Sequence, residues 1–376
     1  MIILAIDTSC DETSVAVLDN RRVLSSVVSS QVELHKKWGG VVPDIARRAH
    51  KENIGKVFKE AVKRAKIQEK DIDYVAVTIG PGLAIALEVG IDFAKELSSR
   101  LKKPFVPVNH MAGHLFASTA INLAGKNPAG IKEDFEIFPL IALLVSGNHT
   151  EIIYSKAFGD YEILGETLDD ACGEAFDKVA RILDLGYPGG PTITFLADQY
   201  VKDVKSGKLN ELVEKLDMNL PVPMEKSGDL NFSFSGLKTA CLYKVKNIKE
   251  EVEIINKNAK VKLKQSDWVK RFCYIFIQVS IKALEIKLVK AINIKHDAHS
   301  LVVGGGVINN HYVVRRMSRI AKENGLLFLA PEKRFRSDNA GMIGLAAYYQ
   351  VKYGKNIVDY NVVSEMDRIP NLRLDA

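Results

Sequence analysis

Short apolar runs alternate with polar turns at the start of the chain. Residues 2–6 and 14–18 are predicted strands, and the polar residues 7–13 between them form a turn. The same order returns later, because residues 139–145 and 151–154 are predicted strands separated by a short polar turn. Two segments that each begin with a strand, a small polar turn and a strand indicate an internal duplication.

Apolar residues at helical spacing predict helices between and after these strands, which gives an α/β class. The predicted helices cover residues 44–65, 83–100, 115–123 and 169–183, and further helices are expected within residues 244–290.

A segment with Gly, Pro and charges, residues 124–136, is the predicted linker between two halves of the chain. We place the first half at residues 1–130, completed by a C-terminal helix at about residues 345–376, and the second half at residues 131–344. Residues 244–264 are rich in lysine and have the composition of a solvated insertion.

Residues 109–114, Asn-His-Met-Ala-Gly-His, lie where a predicted strand passes into a predicted helix. His110 and His114 are four residues apart and share one helical face, a spacing that lets two imidazoles bind one metal ion. Two solvated or core histidines are the alternative interpretation. Met111 stands where a His-Glu-x-x-His zinc peptidase requires its glutamate base, so peptide hydrolysis is not the expected use of a metal here.

Three other loops offer groups for binding or catalysis. The turn at residues 7–13 carries three carboxylates, including Asp11, and could hold a phosphate, an amine or a metal-bound water; a plain hairpin is the alternative. Residues 304–306 are three glycines after a buried strand, a pattern that lets the backbone approach a nucleotide's ribose or phosphate. Asp338 precedes a predicted helix and is either its cap or a third metal ligand.

Two nucleotide-binding motifs are missing from the sequence, G-x-G-x-x-G and G-x-x-x-x-G-K-[ST]. Neither a Rossmann cofactor nor a P-loop nucleotide is therefore predicted.

Composition places the chain among ordinary globular proteins. Its 376 residues are 47% hydrophobic and 26% charged. No apolar run reaches the roughly 18–20 residues of a membrane helix, so no membrane association is predicted. The apolar start lacks a basic leader and is predicted to be a strand, not a signal peptide. Four cysteines without metal-site spacing fit a reducing compartment, so we predict a cytoplasmic protein.

Positive charge is concentrated in one segment. The net charge is +6, but residues 35–66 contain ten Lys/Arg and three Asp/Glu, so the rest of the chain is close to neutral. Arg47, Arg48 and Lys51 lie on the polar face of the predicted helix there. Such a face suits a phosphate backbone, and a merely solvated face is the alternative.

Taken together, these motifs resemble one family, the tRNA N6-adenosine threonylcarbamoyltransferases, formerly called O-sialoglycoprotein endopeptidases. The Val-Val-Pro at residues 41–43 and the His-Thr at 149–150 resemble its bacterial or organellar branch. The matching segments, in chain order, are residues 8–13, 39–53, 109–114, 144–150, 173–178, 187–191, 233–239, 305–310 and 337–339.

The resemblance implies an actin-like (ASKHA) fold: two duplicated ribonuclease-H-like α/β halves with a cleft between them. It also implies one divalent metal, iron or zinc, held by His110, His114 and Asp338, with Asp11 near the reacting centre as the catalytic residue. The implied substrate-binding residues are Leu144, Val145, Ser146, Gly147, Asn148, Asp177, Gly190 and Asn310. Asn148 replaces a usual glycine, and we expect it to tolerate the positive φ that the turn would require.

The implied reaction transfers the threonylcarbamoyl group from threonylcarbamoyl-AMP to N6 of adenosine 37 in tRNAs that read codons beginning with A. An adenine nucleotide is therefore expected in the cleft. The implied partners are tRNA, an inactive paralogue subunit and a small P-loop ATPase subunit. An actin-like ATPase with a regulatory or binding role is the alternative function, followed by a metallopeptidase.

Overall fold

The first sheet contains strands from the start of the chain. The computed structural model describes residues 1–122, 124–128, 130–131, 134–209, 211–258 and 265–376. The strand order is β3-β2-β1-β4-β5, with β1, β2 and β3 antiparallel and β4 and β5 parallel to β1. These strands are β1 (Ile2–Asp7), β2 (Glu12–Asp19), β3 (Arg22–Ser30), β4 (Tyr74–Gly80) and β5 (Phe105–Asn109).

The second sheet repeats this arrangement. Its order is β10-β9-β6-β7-β8, with β6, β7 and β8 antiparallel and β9 and β10 continuing parallel to β6. These strands are β6 (Leu140–Val145), β7 (Thr150–Ala157), β8 (Asp160–Glu166), β9 (Ser300–Gly304) and β10 (Leu327–Leu329). The duplicated ribonuclease-H-like topology is the actin-like fold, so the predicted fold class is confirmed.

Helices cover both sheets. The helices that precede the second sheet are α1 (Val32–His35), α2 (Pro43–Ala65), α3 (Ala84–Leu101) and α4 (His110–Phe116). Those that follow are α5 (Cys172–Ile182), α6 (Gly189–Lys205), α7 (Glu211–Lys215), α8 (Ser235–Asn258), α9 (Gln265–Ile294), α10 (His311–Glu323) and α11 (Ala340–Lys352). None of them, within the described residues, is long and apolar enough to span a membrane.

The two faces of β1 pack against different cores, because successive strand residues point to opposite sides. Leu4 and Ile6 pack with buried residues of α2 and α3. Ile3 and Ala5 pack in a second core with α4 and α11, and this core also contains β6 residues of the second sheet. Helices α4 and α11 therefore lie where the two sheets meet.

Two predicted helices were wrong in their extent. The helix predicted at residues 115–123 ends as an α-helix at Phe116, where the Thr119 hydroxyl donates to the Phe116 carbonyl at 2.7 Å. Its apolar sequence reflects burial on all sides, since every residue of α4 is buried. The C-terminal helix predicted at about 345–376 packs on the first sheet as α11 but ends at Lys352. Gly354 follows with φ 63°, a left-handed conformation that commonly ends helices.

The lysine-rich stretch is only partly described. α8 begins at Ser235, earlier than predicted, and extends through residue 258, while residues 259–264 lie outside the described residues. Residues 129, 132 and 133 of the predicted linker also lie outside them. The division of the chain near residue 130 stays a prediction.

Candidate metal and substrate cleft

A cleft with a volume of about 610 Å³ lies between the two sheets. From the first sheet and its loops it is lined by residues 9–12, 39–41, 81–83 and His110. From the second sheet and its loops it is lined by residues 146–149, 174, 177, 178, 181, 187, 306, 337 and 338. Chain segments that are far apart in sequence therefore share one cavity.

His110 lines this cleft from helix α4, and His114, on the same helix, is fully buried beside it. The helix begins at His110 because the Asn109 side chain accepts hydrogen bonds from the Met111 and Ala112 amides, at 2.8 and 3.4 Å. The two imidazole rings lie 4.8 Å apart at nearly a right angle. The expected shared face is therefore present.

Asp338 joins the two histidines from the segment just before α11. Its Oδ1 lies 3.2 Å from His114 Nε2 and 3.5 Å from His110 Nε2. One ligand atom from each of the three residues lies within 4.8 Å of the others. The cap of α11 is instead Asn339, whose side chain accepts from the Met342 amide at 3.1 Å. The alternative role of Asp338 as a helix cap is therefore excluded.

Several buried polar atoms around this cluster form no hydrogen bond of good geometry with any other described residue. They are both ring nitrogens of His114, Nδ1 of His110 and Oδ2 of Asp7. Buried polar atoms without partners are costly, and a bound cation would satisfy nitrogen and carboxylate lone pairs at once. Two imidazoles and a carboxylate also form a common ligand set with open positions. The residues therefore fit a divalent metal.

The electrostatics also favour a positive charge here. Burial alone would lower the pKa of His110, but the carboxylates of Asp338 and Asp7 outweigh burial and raise it to about 10. Burial lowers the pKa of His114, and burial with the neighbouring histidines lowers that of His149 to about 4. The carboxylates of Asp338 and Asp7 therefore stabilise a positive charge at this position.

Asp11 lies in the turn between β1 and β2 and borders the cleft, with only 7% of its surface exposed. Its neighbour Glu12 also lines the cleft. Burial raises the pKa of Glu12 well above its usual range, and the carboxylates of Asp11 and Asp338 raise it further. Two adjacent carboxyl groups therefore stand at this wall, and Glu12 keeps its proton to a higher pH than an ordinary glutamate.

The turn after β6 supplies the facing wall. Ser146, Gly147 and Asn148 line the cleft, and the Ser146 amide donates to the His149 carbonyl at 2.8 Å. Asn148 does not adopt a positive φ, so the expected conformational reason for this residue was wrong. Its side chain is exposed and can face a ligand without backbone strain.

Leu144 and Val145 are fully buried in β6, so their side chains lie in the cores and not in the cleft. The Val145 carbonyl closely approaches Gly305, whose φ is 91° and where a Cβ would collide with that carbonyl. The glycine run therefore serves a tight contact between β6 and the loop after β9.

The remaining predicted substrate residues differ in their access to the cleft. Asp177 lines it and accepts a hydrogen bond from the Gly189 amide at 2.7 Å; burial raises its pKa. Gly190 and Asn310 are not among the lining residues. Gly190 instead lies in the first turn of α6, and Asn310 caps α10 by accepting from the Tyr312 amide at 2.9 Å.

Sequence reasoning missed a contact across the cleft. Arg181 on α5 donates a hydrogen bond to the carbonyl of Gly39, in the loop before α2. Glu174, Lys178 and Arg181 lie at helical spacing on one face of α5, and all three line the cleft. That spacing is the signal that could have identified Arg181 from the sequence.

The basic residues of α2 lie just beyond the cleft edge. Helix α2 begins at Pro43, two residues after the cleft-lining Val41. Arg48 and Lys51 are exposed, whereas Arg47 is half-buried. The structure thus separates two accessible cations from one that is partly packed.

Comparison with known proteins identifies the family. A sequence profile of the tRNA N6-adenosine threonylcarbamoyltransferases matches residues 22–345. The enzyme of that name from Thermosipho melanesiensis is 44% identical over 378 residues, covering 100% of both chains. The enzyme from Thermosipho africanus is 42% identical, with 100% of both chains covered. The one from Staphylococcus haemolyticus is 40% identical, with 97% of this chain and 96% of the relative covered. The chain therefore belongs to the tRNA N6-adenosine threonylcarbamoyltransferase family and is a transferase of tRNA modification.

Proposed function

We propose that this chain transfers the threonylcarbamoyl group of threonylcarbamoyl-AMP to N6 of adenosine 37 in tRNAs that read codons beginning with A. The observation that carries this proposal is convergence: Asp11, the His110–His114–Asp338 cluster and the turn at residues 146–148 border one cleft. Acceptor-side, metal and donor-side groups are thereby within reach of one substrate pair.

The reaction forms a bond from N6 to the carbamate carbon and breaks the bond from that carbon to the adenylate phosphate. We assign Asp11 to hold the N6 amine and accept its proton. The backbone amides of Gly147 and Asn148, together with the Ser146 hydroxyl, hold the adenylate. Two imidazoles and one carboxylate suit iron or zinc, and either ion supplies Lewis acidity beside the donor when bound.

The binding of tRNA is assigned to the start of α2. Arg48 and Lys51 are exposed beside the cleft, and Arg47 lies next to them with a buried Nε that has no hydrogen-bond partner among the described residues. Their positive charge suits phosphates that flank the modified nucleotide.

Helper proteins and location follow from the same function. We propose that an inactive paralogue and a small P-loop ATPase assist this chain, since its sequence has no P-loop of its own. We also propose a cytoplasmic location, which its four free cysteines support.

The two alternative functions are not favoured. Met111 is buried in the core between the sheets, so that position offers the cleft no base for peptide hydrolysis. A purely regulatory ATPase role has no counterpart in the names of the relatives, which are all transferases.

Reconstitution tests the proposal directly. Purified chain, divalent metal, threonylcarbamoyl-AMP and tRNA are combined with and without the paralogue and the ATPase, and the nucleosides are analysed by mass. We expect threonylcarbamoyladenosine as the product. Product only with the helpers present would support the partner assignment, and no product in either arm would refute the transfer.

Asp11→Asn tests the catalytic assignment. This change keeps the shape but removes charge and basicity, so transfer should slow about 10²–10⁴-fold while metal content and tRNA affinity stay unchanged. Asp92→Asn is the matched control, because Asp92 is an exposed carboxylate on α3 away from the cleft. Near-normal turnover by Asp11→Asn would leave Asp11 a structural residue.

A further inference from the structure

A buried chain of hydrogen bonds connects the loop before α2 with the turn that carries Asp11. The Val42 amide donates to His35 Nδ1 at 3.2 Å, and His35 Nε2 lies 3.2 Å from Gln31 Oε1. Gln31 Nε2 lies 3.2 Å from His50 Nδ1, and His50 Nε2 lies 3.0 Å from the Cys10 carbonyl. The three side chains of this chain are 0–1% exposed.

The two ends of the chain fix the direction of every link. A backbone amide only donates, so His35 accepts at Nδ1 and must donate from Nε2 to the Gln31 oxygen. A backbone carbonyl only accepts, so His50 donates from Nε2 to Cys10 and, when neutral, accepts at Nδ1 from the Gln31 nitrogen. Both imidazoles are therefore neutral and protonated at Nε2.

The reversed amide orientation of Gln31 is excluded on chemical grounds. It would require His35 to accept at both ring nitrogens, which only an imidazolate does. Burial lowers the pKa of His50, in agreement with its neutral form. The Thr13 hydroxyl, 2.8 Å from His50 Nδ1, donates to the same acceptor.

These hydrogen bonds hold the peptide groups on both sides of Asp11. His50 binds the Cys10 carbonyl, in the peptide that precedes Asp11. The backbone amide of Gln31 donates to the Asp11 carbonyl at 3.0 Å, in the peptide that follows Asp11. With both neighbouring peptides anchored, the Asp11 Cα is held in place, and so is the Cα–Cβ bond from which its carboxylate extends. A carboxylate that must meet an amine gains most from such fixed placement.

We propose that His50 is a positioning residue for the transfer reaction, which sets Asp11 in place by donating a hydrogen bond to the Cys10 carbonyl. The proposal rests on the proposed role of Asp11 as the acceptor-side group. His50 lies on α2, the helix that also carries Arg48 and Lys51. Its hydrogen bond therefore connects the helix of the proposed tRNA-binding surface directly to the turn that contains Asp11.

Two substitutions by amide side chains distinguish the role of His50 Nε2 from that of His50 Nδ1. His50→Gln places an amide nitrogen near the position of Nε2, so it can still donate to the Cys10 carbonyl. His50→Asn places an amide oxygen near the position of Nδ1, so it still accepts from Gln31 and Thr13 but leaves that carbonyl without a donor. We expect His50→Asn to lower kcat about 10–100-fold with unchanged KM for tRNA and unchanged metal content, and His50→Gln to stay within about threefold.

Ser25→Ala is the matched control. The Ser25 hydroxyl is buried and donates to the Ala61 carbonyl of α2 at 2.8 Å, so its loss also removes one buried hydrogen bond to α2. It does not touch the Asp11 turn, and we expect normal kcat. A kcat of His50→Asn equal to that of Ser25→Ala would overturn the proposal, as would equally slow His50→Gln and His50→Asn variants.

A double-variant cycle tests whether His50 acts through Asp11. If it does, introducing His50→Asn into the wild-type protein should lower kcat, whereas introducing it into the Asp11→Asn variant should lower kcat no further. Additive losses would overturn the positioning role. If Asp11→Asn alone turns over normally, the catalytic assignment of Asp11 fails first, and the positioning proposal fails with it.

Imidazole 15N NMR of the unmodified holoprotein gives a readout that needs no variant to fold. It should show His50 neutral and protonated at Nε2 at pH 7. A His50 protonated only at Nδ1 would leave the Cys10 carbonyl without its donor and would refute the proposal even if transfer is active.

Discussion

The basic start of α2 gives a quantitative prediction for tRNA binding. Arg48 and Lys51 are the two exposed cations of the trio, and they lie about 7 and 12 Å along the helix from Pro43 at a rise of about 1.5 Å per residue. We therefore expect Arg48→Ala/Lys51→Ala to remove two phosphate contacts. Arg47 is left intact because it is half-buried and its loss would also disturb packing.

The size of the effect follows from counterion release. Each lost contact should reduce the slope of log affinity against log salt by about 0.7–0.9, so the double variant should lose about 1.4–1.8. Affinities that converge near 1 M salt should then differ about 25- to 60-fold at 0.1 M. Fluorescence anisotropy of labelled tRNA, titrated across that salt range, measures both quantities.

Lys59→Ala/Lys63→Ala is the matched control on the same helix. Both lysines are exposed, and Lys59 lies about 24 Å along the helix from Pro43. The control removes the same charge, but we expect little change in slope. An unchanged slope in the first pair would show that this face is only solvated. Equal losses in both pairs would show a response to net charge and not a docking surface.

Two further predictions concern the metal and a buried carboxylate. Asp338→Ala should weaken metal binding at least about 100-fold without unfolding the protein, whereas Ser337→Ala, at an exposed neighbouring residue, should leave metal binding unchanged. The metal content of each variant is measured after dialysis, and full metal occupancy in Asp338→Ala would show that Asp338 is not a ligand. Glu151 is 8% exposed, and burial, with Glu166 on the facing strand, raises its pKa to about 7 although Arg373 lowers it. Because the pKa of Glu151 is higher in the folded than in the unfolded protein, ionisation of its carboxyl group destabilises the fold increasingly as the pH rises toward 7. Glu151→Gln should therefore raise the free energy of unfolding by up to about 3 kcal/mol at pH 8 and by far less at pH 5. Denaturant unfolding of both proteins at the two pH values measures this difference, and a stability gain that does not depend on pH would contradict the prediction.

Sequence patterns predicted an α/β class and an internal duplication because one physical signal occurs twice along the chain, and the family resemblance added the actin-like fold. Apolar strands flanking a polar turn occur twice, and both copies form the centres of the sheets. Helix bounds were less predictable where burial overrides periodicity, as in α4, whose apolar residues are surrounded on all sides. β8 and β10 were not predicted because β8 is largely half-exposed and β10 has only three residues.

The candidate site was predictable where one local motif carries it. The spacing of His110 and His114 is visible in the sequence, and only the family resemblance singled out Asp338 from a cap. Contacts between distant segments could not be read in this way. The approach of Arg181 to Gly39 depends on how the two sheets face each other, which no local pattern encodes.

The position of α11 has a consequence for how the protein is made. This helix is built from residues 340–352, yet it packs against β1, which is synthesised more than 300 residues earlier. Asp338, just before the helix, completes the candidate ligand group that includes His110 and His114. Domains generally fold from the N-terminus during synthesis, but here the first sheet leaves the ribosome with one apolar face uncovered. A complete ligand group therefore forms only after Asp338 has emerged, so a product terminated before this residue carries two of the three ligands and leaves the core face that α11 covers exposed.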